Sequence, residues 1–265
     1  DPEVLILFDA YVHGALDRRG FLDKAAKYTV GGVTAAMLLD ELNPKFAEAQ
    51  QVAPADARIK GEFVEYASPQ GSGKMRGYLV RPADKKGKLP GVLVVHENRG
   101  LNPHIEDIAR RVALEGYMAF APDALFPLGG YPGDEDKARE LFAKLDRPKI
   151  DQDFLAATAW LKNRADSTGK VAVVGFCFGG AIANMLATKV PDLAGAVPFY
   201  GGAPPAEEVK NIKCPVLVHH GEKDERFVYP GAQHGFNNDT TPRFDKVNAD
   251  LAWKRTIEFF QKNLK

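Results

Sequence analysis

The chain reads as an α/β protein, a mostly parallel sheet with helices on both faces, preceded by a helical N-terminal extension. Three observations lead there. The runs Gly91-Val-Leu-Val-Val-His96 and Val171-Ala-Val-Val-Gly175 are continuously apolar, as parallel strands buried on both faces must be. Segments with helical spacing stand between such runs, so strand and helix alternate. One strand-to-helix junction carries Gly-x-Cys-x-Gly, in Gly175-Phe-Cys-Phe-Gly-Gly180.

Length and charge bound the rest. The 265 residues suit one large domain with an appendage. Lys plus Arg number 35 and Asp plus Glu 35, with no basic stripe, so no nucleic-acid partner is expected. The only cysteines, Cys177 and Cys214, form neither a disulfide framework nor a zinc spacing. No apolar run approaches the ~20 residues of a membrane span.

Residues 1–55 differ in character from the remainder and are read as the extension, with the α/β domain over 56–265. Val4 to Leu16 reads as a helix. Arg18-Arg19, Phe21-Leu22 and the mildly apolar run Ala25 to Leu39, followed by Phe46-Ala-Glu-Ala-Gln50, resemble a twin-arginine export signal. The other reading is a helical extension packed on the body or on a second subunit, which allows a homodimer. The location is open: cytoplasmic, or periplasmic if the arginine pair is a signal.

Arg58 to Tyr66 and Met75 to Arg81 alternate across Ser68-Pro-Gln-Gly-Ser-Gly73, an antiparallel hairpin or edge pair. Gly91 to His96 is a buried strand, Asn102 to Gly116 a helix, and Tyr117 to Ala121 a short strand. Residues 125–134 read as loop. Glu135 to Leu145 and Ile150 to Arg164 are helical, Val171 to Gly175 and Leu193 to Tyr200 are strands, and Ala181 to Lys189 is a helix. Pro215 to His220 reads as the next strand, with Cys214 buried at its start. Ala249 to Leu264 is a closing amphipathic helix.

The chemistry centres on Cys177. Gly-x-Cys-x-Gly between strand and helix is the cysteine form of the nucleophile elbow. Gly175 and Gly179 let strand and helix approach closely, and the helix N-terminus favours thiolate over thiol. The plain alternative is a buried structural cysteine. A thiol nucleophile needs a base and an orienting acid. Asp224 follows the strand Val216 to His220, and His234 sits in Tyr229-Pro-Gly-Ala-Gln-His-Gly-Phe236, giving the chain order nucleophile, acid, histidine. Taken singly, Asp224 could stabilise a turn and His234 could cap the last helix. His219, His220 and His234 could be drawn as a metal cluster, but no carboxylate or cysteine stands at a ligand spacing, so no metal is expected. His96 is expected to line the pocket, while His13 and His104 carry no signal.

These segments give the chain a resemblance. Gly91-Val-Leu-Val-Val-His-Glu97, Phe120-Ala-Pro-Asp123, Gly175-Phe-Cys-Phe-Gly-Gly180, Val197-Pro-Phe-Tyr-Gly201 and Gly231-Ala-Gln-His-Gly-Phe236 resemble the dienelactone hydrolase family, cysteine members of the α/β-hydrolase superfamily, from about residue 60 onward. The resemblance implies Cys177 as nucleophile, Asp224 as orienter and His234 as base. It implies that Glu97 pairs with the cysteine at rest and helps form the thiolate when substrate arrives. Backbone N–H groups of Phe178 and Asn98 would form the oxyanion hole. The expected substrate is a small ester or lactone, and no cofactor is needed. The family's substrate-binding arginines have no match in Phe126-Pro-Leu-Gly-Gly-Tyr131 or Asn237-Asn-Asp-Thr-Thr241. Arg99, Phe126 and Tyr200 are the expected substrate contacts, and dienelactone should be a poor substrate. Two rival readings are a ligand-binding protein on a hydrolase scaffold and a thiol redox protein using Cys177.

One stretch conflicts with the fold. Phe227 to Tyr229 looks like a strand parallel to Val216–His220, yet parallel neighbours need a crossover of about a dozen residues. Only Gly221 to Arg226 intervenes. Residues are therefore expected to be missing from the printed chain between about Lys223 and Phe227, visible as a Cα spacing well above ~3.8 Å.

Overall fold

The computed structural model describes residues 2–221, 229 and 231–265. The extension forms first. Helix α1 spans Pro2–Val12, α2 Arg18–Ala25, α3 Ala35–Leu42, and α4 is the single turn Phe46–Ala49. Helix α1 stops short of Leu16 because Gly14 takes φ +79°, a left-handed value that ends a helix. Asp17 then caps α2, accepting from the Gly20 N–H at 2.7 Å. Val4, Phe8, Tyr11, Phe21, Ala25, Leu39 and Leu42 bury one another, so the extension has a small core of its own.

It also docks on the body. The Tyr11 hydroxyl donates to Asp136, Arg139 donates to the Tyr11 carbonyl at 2.8 Å, and Arg243 meets Asp9 at 2.6 Å. Arg18 pairs with Asp136 at 3.2 Å, while Arg19 is exposed. Chain upstream of residue 56 also packs on the body. Val52 lies in its core, donates to Asp107 at 2.8 Å and accepts from Arg110 Nε at 2.7 Å.

The sheet has six strands. These are β1 (Ile59–Ser68), β2 (Gly73–Pro82), β3 (Leu89–Val95), β4 (Met118–Pro122), β5 (Ser167–Phe176) and β6 (Gly195–Phe199), in the order β1-β2-β4-β3-β5-β6. The expected hairpin is the antiparallel edge: β1 pairs with β2, and β2 runs antiparallel to β4. The pairs β3–β4, β3–β5 and β5–β6 are parallel. Beyond β6, the expected strand 215–220 reduces to isolated parallel bridges, Ala196 with Val216 and Phe199 with His219.

Side chains alternate along each strand, which divides the core in two. Val92 and Val94 of β3 face α5 (Pro103–Leu114) and α9 (Lys246–Leu264). Leu93 and Val95 face α7 (Arg147–Asn163) and α8 (Phe178–Lys189). Helix α6 (Glu135–Phe142) and the one-turn helix Phe126–Leu128 lie in the stretch after β4. Helices thus cover both faces, as the sequence predicts. Among the described residues no helix is long and apolar enough to cross a membrane.

Gly221 and Tyr229 form a further isolated parallel bridge, and the Tyr229 N–H donates to the His220 carbonyl at 3.0 Å. The expected chain break near Arg226, and the strand assigned to Phe227–Val228, lie outside the described residues.

Candidate active site

Strand β5 ends at Phe176 and α8 begins at Phe178, leaving Cys177 alone at the turn. Its φ of 53° and ψ of −110° are values that a residue with a side chain adopts at a cost of order 1–3 kcal/mol. The surroundings enforce the turn. A Cβ on Gly175 would lie 1.9 Å from the Gly179 carbonyl oxygen, and one on Gly179 would lie 2.2 Å from that of Val95. Only glycine lets β5, α8 and β3 close to this distance. The Cys177 N–H donates to the Phe199 carbonyl at 3.0 Å, which fixes the turn against β6.

The sulfur is met by two histidines. His13 Nε2 lies 3.7 Å from Cys177 Sγ and 3.1 Å from His234 Nε2, with the two rings edge to face. Burial opposes a thiolate here. Hydrogen bonds from His13 and His234 and their charge outweigh it, and the thiol's pKa falls to about 7. His13 answers in the opposite sense. Burial disfavours its cation, but Asp9 and Cys177 favour it and raise its pKa to about 10. His13 Nδ1 faces the Asp9 carbonyl at 2.8 Å and the Asp9 carboxylate at 3.4 Å, and Arg243 closes on that carboxylate at 2.6 Å.

His13 and Asp9 are the residues sequence reasoning missed. Helical periodicity accounts for both, and only their i, i+4 spacing on α1 marks them as a pair. Arg243 was missed as well, standing just beyond the loop Asn237–Thr241 in which no arginine occurs. It lines the same cavity as Arg99, Glu97, Glu135, Asp136, Cys177 and His234, with Phe8, Tyr11 and Val12 of α1 and His13 just past its end on one wall.

Other expected residues divide. Glu97 reaches the cavity, where its carboxylate accepts from Asn238 at 2.8 Å and from the Tyr200 hydroxyl at a long 3.5 Å. The expected resting pair of Glu97 with Cys177 is thus replaced by amide and phenol on the carboxylate and by imidazole on the sulfur. Tyr200 itself has φ 38° and stacks obliquely on His234, with 4.9 Å between ring centroids. Phe178 is the first residue of α8, so its N–H has no carbonyl inside the helix to serve and can meet an oxyanion. Asn98 donates its side-chain amide to the Val12 carbonyl at 3.2 Å, which ties the second proposed oxyanion residue to α1.

Arg99 is buried and already engaged. It donates to the Val12 and Asn98 carbonyls, both at 3.1 Å, and lies 3.6 Å from Glu135. Phe126 does not line the cavity: the Arg76 guanidinium lies 5.0 Å above its ring on the side of β2. His96 does not line it either. Its ring is fully buried, bonded to the Glu97 carbonyl at 2.5 Å and the Ala124 N–H at 3.1 Å, and stacked on Phe178. Burial holds it neutral, with a pKa of about 4, so it braces the loop that carries Glu97. His219 is bound by Thr256 at 3.0 Å and Tyr229 at 2.6 Å inside the fold, which removes it from any cluster with His234. His220 lines a neighbouring hollow with Cys177, Phe178, Tyr200 and His234. Asp224 lies outside the described residues.

Two arrangements of this site are chemically sensible. As it stands, it holds a thiol that ionises near pH 7 against imidazole, a nucleophile with proton carriers. The ligand atoms of His13, Cys177 and His234 also lie within 4.8 Å of one another, so these are the described residues that one soft cation could bridge. Cys214 packs in the core on the opposite face of the sheet from Cys177, and burial raises its pKa.

The family described as "Dienelactone hydrolase family" matches residues 75–228 and 225–264, and one described as "YqhI-like" matches residues 1–27. A protein of Escherichia coli (strain K12) named "Putative carboxymethylenebutenolidase" is 32% identical over 244 residues, which cover 78% of this chain and 89% of the relative. From the same organism, "Putative hydrolase fragment YghX" is 57% identical over 114 residues, 43% of this chain and 97% of the relative. A solved structure described as "Putative Dienelactone Hydrolase" from Klebsiella pneumoniae is 28% identical with a TM-score of 0.65, covering 77% of this chain and 99% of that one.

Proposed function

The chain belongs to the dienelactone hydrolase family, and from that premise we propose that it cleaves ester or lactone bonds through an acyl-enzyme on Cys177. One observation carries this reading: a cysteine held at φ 53° on a strand-to-helix turn, with histidine nitrogen 3.7 Å from its sulfur. In the proposed cycle the thiolate attacks the carbonyl carbon. The Phe178 and Asn98 N–H groups receive the oxyanion, and His234 activates the water that releases the acid. Asp224 is the proposed orienter of His234. Glu97, held by Asn238 and Tyr200, lines the same cavity as the sulfur and can position substrate or water there.

The charge balance of the cavity bears on substrate. Arg99 faces Glu135, Arg243 faces Asp9 and Arg18 faces Asp136, while Glu97 adds a further carboxylate to the lining. A substrate carboxylate would displace an existing ion pair, so neutral esters and lactones fit better than dienelactone. The redox alternative is weakened by the position of Cys214 across the sheet from Cys177. With p-nitrophenyl acetate, the expected result is a burst of p-nitrophenol, an acetyl adduct on Cys177 by mass spectrometry, and neither in Cys177→Ala. Turnover by Cys177→Ala at the wild-type rate would end the proposal, and binding without turnover in both proteins would favour a non-catalytic receptor.

A further inference from the structure

We propose that His13, carried by the N-terminal extension, is a second catalytic histidine of this site: it gives the leaving group its proton when Cys177 is acylated, and His234 reloads it with a proton taken from the attacking water. This rests on the acyl-enzyme reading above and assigns a step to a residue that lies outside the matched hydrolase segments.

The hydrogen-bond geometry leads there. Two imidazole nitrogens 3.1 Å apart must share one proton, because two N–H groups would collide and two lone pairs would repel. The donor can be identified. His13 Nδ1 faces two acceptors, the Asp9 carbonyl and carboxylate, and therefore carries hydrogen. His13 Nε2 faces the sulfur, and once the thiol has ionised the sulfur accepts there, so in that state His13 carries the other hydrogen. Across the 3.1 Å contact His234 Nε2 is then the acceptor. Arg243, pairing with Asp9 at 2.6 Å, keeps that carboxylate ionised and in place. The reactive form of the site is thus thiolate, imidazolium and neutral imidazole in one chain.

The steps balance. A sulfur electron pair forms the C–S bond, the carbonyl pair moves to oxygen and returns, and the C–O bond to the leaving group breaks. The departing alkoxide takes the proton of His13 Nε2. Water then attacks the thioester carbon while His234 Nε2 takes one of its protons, and the C–S bond breaks to restore the thiolate. His234 hands its new proton across the 3.1 Å contact to His13. Net consumption is one ester and one water, yielding one acid and one alcohol.

The test compares two acetate esters on the whole 265-residue chain. Ethyl acetate expels a basic alkoxide that needs the proton, whereas p-nitrophenyl acetate expels a phenolate that does not. The ratio of their kcat/KM values cancels any change in thiolate fraction, which affects both alike. His13→Gln is expected to lower kcat/KM for ethyl acetate relative to p-nitrophenyl acetate by roughly a hundredfold, the lower range of general acid catalysis. Asp9→Asn, altering a positioning residue, should move the same ratio in the same direction by a smaller factor. An unchanged ratio in both variants, whether activity falls or not, overturns the proposal. Cys177→Ala, run beside them, separates the two readings. If it is inactive on both esters while the ratio stays unmoved in His13→Gln, the nucleophile stands and the role of His13 falls. If it remains active, the acyl-enzyme itself falls.

Discussion

At the scale of single residues the site is governed by which groups stabilise a negative sulfur. The α8 N-terminus contributes dipole, but a nearby imidazolium contributes a full charge, and it comes from His13, 164 positions away in sequence. A thiol with pKa about 7 is half ionised at neutrality, so its reaction with iodoacetamide should rise with pH and reach half its maximum near pH 7. Below that value the sulfur is protonated and the rate falls. Burial shifts Cys214 the other way, above its ordinary value, so Cys177 should be labelled first. His13→Gln removes one of the groups that lower the Cys177 pKa, and its labelling midpoint should move upward. A midpoint that stays near pH 7 would mean that His234 and the helix suffice. Peptide mapping after timed alkylation at several pH values measures all of this. Cys177, His234 and Glu97 were legible in the sequence because each sits in a short local pattern. His13, Asp9 and Arg243 were not, since their chemistry arises only when α1 docks against the loop after His234.

At the scale of elements, the alternation of apolar runs and helical spacing was enough to assign β1 to β6 and the two covered faces, because burial on both sides leaves a continuous apolar signature. The stretch after β6 was less legible. Its pairing reduces to single bridges at Val216 and His219, and Val218 between them is 40% exposed, so the buried-strand pattern fades there. The elbow is the element with least tolerance. Placing a methyl on Gly175 brings it 1.9 Å from a backbone oxygen of α8, and backbone cannot rotate aside as a side chain can. Gly175→Ala should therefore cost on the order of 3 kcal/mol, the upper range for overpacking. The denaturation midpoint should drop with it, and Cys177 reactivity should be lost even where folded protein remains. Gly202→Ala, whose new Cβ would meet only the Ala181 methyl at 3.8 Å, is the control that should leave both unchanged.

At the scale of the whole molecule, the extension and the body form one cavity that neither makes alone. Phe8, Tyr11, Val12 and His13 wall it on one side, and Glu97, Arg99 and Cys177 on the other. The wall is secured by polar contacts at both ends of α1's last turn: Asp9 to Arg243, the Val12 carbonyl to Asn98 and Arg99, and the Tyr11 carbonyl to Arg139. Helices α1 to α3 bury their apolar residues chiefly against one another, whereas Val52 belongs to the body's core and is bonded to α5. A chain starting at Phe46 should therefore keep its fold, with a thermal transition close to that of the 265-residue chain. Its cavity would open where α1 had closed it. Against p-nitrophenyl esters of increasing acyl length, the 265-residue chain should favour short acyl groups, and the truncated form should lose roughly tenfold of that preference per excluded group, the size of effect a closed apolar wall provides. Because His13 leaves with α1, the shortened chain should also show the leaving-group dependence of His13→Gln. A truncated protein that keeps the acyl-length preference of the 265-residue chain would show that the substrate never meets α1, and that the extension covers the site without shaping what enters it.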